Sequence, residues 1–179
     1  MAKRLMKELG SFAGVLRAPM ETLQQLDKAG PAAIAAIKTT EAAALHPSRS
    51  RIKNQSVLHN WVDVQDYCIN RLAHGPRQYF SILCLDNQNR LISEETISGG
   101  TVNQTAVNTR KVVNAALKYQ AQAVMLLRTH PSGELKPSRA DIDVTRDIEE
   151  AMAVMGIVLH DHLIIANTAC ESFKSLGHL

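Results

Sequence analysis

The stretch from Arg128 to Asp141, R-T-H-P-S-G-E-L-K-P-S-R-A-D, limits what this chain can fold into more than any other part of it. An apolar run, Ala123 to Leu127, enters the stretch, and a helical pattern leaves it. Pro131, Gly133 and Pro137 stop both periodicities, so the segment reads as a strand end, a tight loop and a helix start. Such a junction sets His130 at the lip of the strand and Asp141 in the first turn of the helix. An imidazole and a carboxylate converging there have the donor types that share a divalent metal, zinc foremost. The same residues also have plainer uses. Ser138 and Asp141 form S-x-x-D at a helix start, close to a capping box. The two prolines and the glycine are turn residues, and a lone His130 reads equally as a hydrogen-bonded loop histidine.

The rest of the chain supplies the layers around this junction. A short helix is expected over Ala2–Leu9, stopped by Gly10, and a second after Pro19 with Leu23 and Leu26 inward. Pro31 opens an alanine-rich helix to about Leu45, proline being suited to a first helical position. His46 to Ser56, H-P-S-R-S-R-I-K-N-Q-S, is polar, basic and non-periodic, and reads as a linker. A helical stripe follows at Leu58, Trp61, Val62, Ile69 and Leu72. Tyr79–Leu85 and Arg90–Ser98 read as strands of a β-hairpin joined by D-N-Q-N. A helix begins at Asn108 or Thr109 with Val113, Ala116, Leu117 and Ala121 inward, and Ala123–Leu127 makes a third strand. Ser138–Met155 is a helix with Thr145, Ile148, Met152 and Met155 inward, capped by Gly156. Ile157–Ile165 is a fourth strand, with Phe173 packing the tail onto the sheet. This order gives an α/β layered domain at residues 57–179, after a helical region 1–45 and a linker 46–56.

Composition narrows the function classes. At 179 residues, 45% hydrophobic and 21% charged, the chain has the make-up of one globular domain with a small appendage. A net charge of +3 permits nucleic-acid contact without singling it out. Cys68, Cys84 and Cys170 form no C-x-x-C pair, which argues for reduced thiols over a disulfide framework or a cysteine zinc site. No apolar run approaches the ~18 residues of a membrane span, and the first residues lack the apolar centre of a signal peptide. The expectation is a cytoplasmic protein with no membrane partner.

With these residues in view, the central stretch is similar to the JAMM motif, H-x-H-P-S-G-x-x-x-P-S-x-x-D, of the RadC branch of JAB/MPN metalloprotease-like domains. Leu85-Asp86, Arg90-Leu91-Ile92, Gly100-Thr101, Asp161-His162 and Ser172-Phe173 also sit where RadC-like chains carry such residues, so the resemblance covers Ser56 to Leu179 closely. It implies a cytidine-deaminase-like mixed sheet flanked by helices. It also implies zinc held by two histidines and an aspartate, with water in the fourth position and a glutamate moving its proton. His130 and Asp141 match two of the ligands, and Ser138 matches the serine that stabilises the oxyanion. The implied substrate is an amide or isopeptide bond in a peptide or protein, under a family label of DNA repair. The N-terminal helices about Gly30 resemble a helix-hairpin-helix that holds DNA phosphate, with Lys28 where a glycine is expected. A plain helical packing unit is the leading reading there.

Two departures weigh against hydrolysis. Arg128 stands where the first ligand histidine belongs, and Gln78 where the catalytic glutamate belongs. A guanidinium has only donors and a fixed positive charge, and an amide cannot take up and return a proton near neutral pH. The leading reading is therefore a RadC-like domain with a degenerate site, kept as a scaffold or interaction module. The second is an active zinc hydrolase in which His160 or His162 completes the site. The third is DNA binding through the N-terminal helices and the basic residues Arg49, Arg51 and Lys53. His160 and His162 are read first as structural hydrogen-bonding residues. Glu94 and Glu95, adjacent on a strand, face opposite ways. Arg110 is either groove-lining or a surface charge.

Overall fold

Gly10 and Pro19 cut the first residues into short helices, and the computed structural model shows how they pack. It describes residues 2–27, 30–54, 56–57, 61–72, 78–99, 107–166 and 169–179. The chain forms two compact units, Met1–Arg49 and Ser50–Leu179. In the first, α1 (Ala2–Leu9), α2 (Phe12–Arg17), α3 (Met20–Asp27) and the start of α4 (Pro31–Asn54) enclose Leu5, Val15, Ala18, Leu23 and Ile34. Helix α2 escaped the hydrophobic pattern because its six residues bury only Val15 within the helix. Its start is fixed by Ser11, whose side chain accepts the Gly14 amide at 3.0 Å. The boundary between the two units falls within residues 46–56, the expected linker. Helix α4 runs on through Pro47 to Asn54, so most of the expected linker is helical. The position of Lys28 lies outside the described residues.

The second unit is a three-layer α/β domain. Its five-stranded sheet has the order β2-β1-β3-β4-β5, with β1 (Tyr79–Leu85), β2 (Leu91–Gly99), β3 (Ala123–Thr129), β4 (Val158–Ala166) and β5 (Ala169–Ser172). β1 and β3 are buried almost throughout because helices cover both faces. On one face α5 (Trp61–Leu72) packs Val64, Tyr67 and Cys68 against Leu83, Met125, Leu127 and Leu163. On the other, α6 (Thr109–Lys118) and α7 (Arg139–Val154) pack Val112, Ala115, Ile148 and Met152 against Ile82, Cys84, Val124 and Leu126. β3 and β4 pair in parallel, the other neighbours antiparallel. α7 is thus the crossover that a parallel pair requires.

Three inward stripes differ from expectation. On α5, Val62 is 62% exposed, and Val64, Tyr67 and Cys68 are buried instead because the sheet faces that side of the helix. Helix α6 buries Val112, Ala115 and Ala116 and leaves Leu117 49% exposed. The expected Ala116 and Ala121 are buried and Val113 packs half-buried against the core, but Val112 and Ala115 take the inner places that Leu117 does not. Met155 is 52% exposed because α7 has already ended there, turning through Gly156 at φ +70. Leu58 and Gly100-Thr101 lie outside the described residues. Among the described residues no helix is long and apolar enough to cross a membrane.

Candidate functional site

The site forms where β3 ends and α7 begins. β3 extends two residues further than its apolar run, so Arg128 is still in the strand, opposite Phe80 of β1 and Ile164 of β4. Strand alternation places its side chain on the same face as Val124 and Leu126, beneath α6 and α7. Arg128 is 7% exposed. His130 lies just beyond the strand, its amide donating to Ile165 O at 2.8 Å. Its ring is oriented by Nδ1, which stands 2.8 Å from the Glu134 carbonyl and therefore carries the hydrogen. Gly133, at φ +85, turns the loop back so that this carbonyl can reach the ring.

Ser138 caps α7. Its hydroxyl oxygen accepts the Asp141 amide at 3.2 Å, while its own amide and hydroxyl donate to Asp141 Oδ2 at 2.8 and 2.5 Å. The capping box expected from S-x-x-D is thus complete. Asp141, 1% exposed, turns its other oxygen to Arg128, with Nε 2.8 Å from Oδ1. That contact is an ion pair by distance, but no donor is aligned on Oδ1 for a hydrogen bond. The reason is Gln78. An arginine offers only donors, so the Gln78 amide presents its oxygen, which accepts from Arg128 Nη2 at 3.0 Å and from Nε at 3.1 Å. One Nε–H cannot point squarely at two acceptors. Burial alone would raise the Asp141 carboxyl, but the neighbouring His130 ring, the bonds from Ser138 and the charge of Arg128 together hold it well below the usual carboxylate range.

The structure brings Gln78, Arg128, His130, Ser138 and Asp141 to one place and leaves the other candidates out. His160 Nε2 meets Asn89 Oδ1 at 2.6 Å, in the β1–β2 turn. His162 is fully buried beside the pair, with Nδ1 2.7 Å from Thr145 Oγ1. The two histidines therefore have different partners, and a break in the β3–β4 register at this point interrupts the simple alternation expected for them. Glu94 bonds Tyr67 on the α5 side, and Glu95 pairs with Lys118 of α6 at 2.9 Å, opposite faces as expected. Arg110 is exposed. Thr145 was visible in the sequence only as an inward position. Its polar role could have been sought in the one-turn spacing from Asp141.

His130 and Asp141 retain part of a metal geometry. Nε2 and Oδ2 are 3.5 Å apart, and two zinc bonds of about 2.1 Å at a tetrahedral angle would place their ligand atoms about 3.4 Å apart. The remaining residues do not fit the ion. The next position holds a guanidinium already paired with the carboxylate. Among the described residues, no three His, Cys, Asp or Glu side chains converge in a way that could hold a metal.

The sequence profile of the RadC-like JAB domain matches residues 58–178 of this chain. The chain belongs to the RadC-like JAB family. A UPF0758 protein of Rhodobacter capsulatus is 41% identical over 179 residues, which is all of this chain and 84% of that protein. A UPF0758 protein of Ruegeria pomeroyi is 38% identical over the same 179 residues, 80% of its own length. The RadC-like assignment and the mixed sheet agree with each other.

Proposed function

We propose that this chain is a RadC-like JAB domain whose hydrolase site has been replaced by an internal ion pair, and that it serves as a scaffold or interaction module for a protein or peptide. The observation that carries the reading is Arg128, fixed between Asp141 Oδ1 at 2.8 Å and the Gln78 amide oxygen at 3.0 Å. A cation occupies the place of a metal ligand, and the group at the general-base position accepts hydrogen bonds from that cation. Losing a general base alone forfeits roughly 10²–10⁴ in rate, and a ligand exchanged for a positive charge adds an electrostatic penalty against any second cation. Ser138, the oxyanion position of the JAMM pattern, is committed to Asp141.

Zinc content decides between this reading and an active hydrolase. The purified parent, loaded with zinc and dialysed, is expected to hold far less than one equivalent. The Arg128→His, Gln78→Glu double variant is expected to approach one. Stoichiometric zinc in the parent would refute the proposal.

A further inference from the structure

We infer that Thr145 and His162 are positioning residues for the Arg128–Asp141 pair, acting on Asp141 from behind through the main chain of α7. The argument begins with protons. Thr145 Oγ1 lies 2.6 Å from the Asp141 carbonyl oxygen and 2.7 Å from His162 Nδ1. A carbonyl only accepts, so the one hydroxyl proton goes to Asp141 and Thr145 must accept from His162. Nδ1 therefore carries the hydrogen and Nε2 is left bare. Among the described residues Nε2 is buried without a partner, so the ring's polar contact there is the one to Thr145.

The ring is held so that this contact cannot drift. It stacks on Phe173 with centroids 4.4 Å apart and meets the edge of Phe80 at 5.6 Å. Its own amide donates to Asp161 Oδ1 at 2.7 Å. Asp161 also takes the Ser172 hydroxyl at 2.5 Å and the Lys174 amide at 3.1 Å, which ties the C-terminal turn to the same point. A leucine at this fully buried position would fill the space without orphaning a nitrogen. The single bond from Nδ1 is what the histidine adds. It fixes the Thr145 hydroxyl, which fixes the first-turn carbonyl of α7 and so the register of Asp141 against Arg128. This inference stands on the ion pair and holds whether or not the chain hydrolyses anything.

Nitrogen-resolved NMR of the intact chain tests it. The expected result is a neutral His162 with the hydrogen on Nδ1, and an Arg128 Nε–H signal that exchanges slowly with water. Thr145→Val and His162→Leu should each speed that exchange roughly tenfold, the equilibrium worth of one buried hydrogen bond. Thr145→Ser should restore it, as should His162→Asn, whose amide nitrogen stands where Nδ1 does. A hydrogen on Nε2, or unchanged Arg128 exchange in folded Thr145→Val, would overturn the inference. Should the leucine variant not fold, the valine and serine variants at position 145 decide the matter.

Discussion

Replacing Arg128 with leucine removes the cation facing a carboxylate that is 1% exposed, and the fold must then hold that charge without it. With charge centres about 4 Å apart and an effective dielectric near 20, the gross attraction is about 4 kcal/mol. Arg128→Leu should cost about 3 kcal/mol, at the lower end for a broken buried pair, because Ser138 still donates twice to Asp141 Oδ2. Asp141→Asn keeps an acceptor for the helix cap but leaves the guanidinium with Gln78 alone, and should cost about the same. In the double variant neither charge is stranded, so its loss should fall about 2 kcal/mol short of the sum. Urea unfolding at pH 7, with denaturant slopes checked for constancy, measures all four corners of the cycle. Additivity to within about 0.5 kcal/mol would show that the 2.8 Å contact carries no coupling, and the reasoning would fail.

Three further outcomes follow from the same geometry. The His162 imidazole is pushed down to about 3 by burial, helped by Arg128 and His130 and opposed by Asp141. The unfolded chain therefore takes up that proton first, and stability complete above about pH 6.5 should fall as pH drops towards 3, by at most roughly 4–5 kcal/mol. Asp141, lowered as well, keeps its contribution until pH falls below its ordinary 3.8, and His160, lowered by burial and Lys174, adds a slope of the same sign as His162. Urea midpoints from pH 7 to 4.5 should thus fall less steeply in His162→Asn, and parallel profiles would contradict this. Ser138→Ala removes the cap and one of Asp141's donors, for an expected loss of about 1–2 kcal/mol by the same assay; a loss under about 0.3 kcal/mol would be inconsistent with the capping box. The Cys84 thiol, raised to about 12 mainly by burial and secondarily by Glu95, should resist a disulfide reagent at pH 8 until the protein unfolds, and rapid modification of the native protein would contradict its placement.

How much of this was legible in the sequence depends on the range over which each signal acts. The strand–loop–helix junction was readable because Pro131, Gly133 and Pro137 act on their own backbone. The capping box was readable for the same reason. Strands β1 and β3 declared themselves as apolar runs because both faces are covered. Helix α2 and strand β5, at six and four residues, are too short to carry a period. On α6 Ala116 and Ala121 were read correctly and Leu117 was not, because two adjacent phases are equally apolar and only the opposing surface of Ile82, Cys84 and Val124 could choose between them. At the site, the identities at positions 78 and 128 could be read one at a time as losses. That Gln78 and Arg128 complement each other, oxygen to donors, is a relation across 50 residues that no local pattern encodes. The bond from His162 through Thr145 to the Asp141 carbonyl was hidden in the same way, since its members are polar residues at positions that read as core or as strand.

Asp141 has its two oxygens on two different duties, one at the mouth of α7 and the other at Arg128. This bears on how any experiment with the protein is controlled. Alanine at position 141, the reflex choice for silencing a site of this kind, would unpick a helix start along with the chemistry under study. A partner or substrate lost on that background would say as much about a frayed helix as about recognition. Approaching the pair from Arg128 leaves the helix mouth closed, so the arginine is the side from which to ask what this site does.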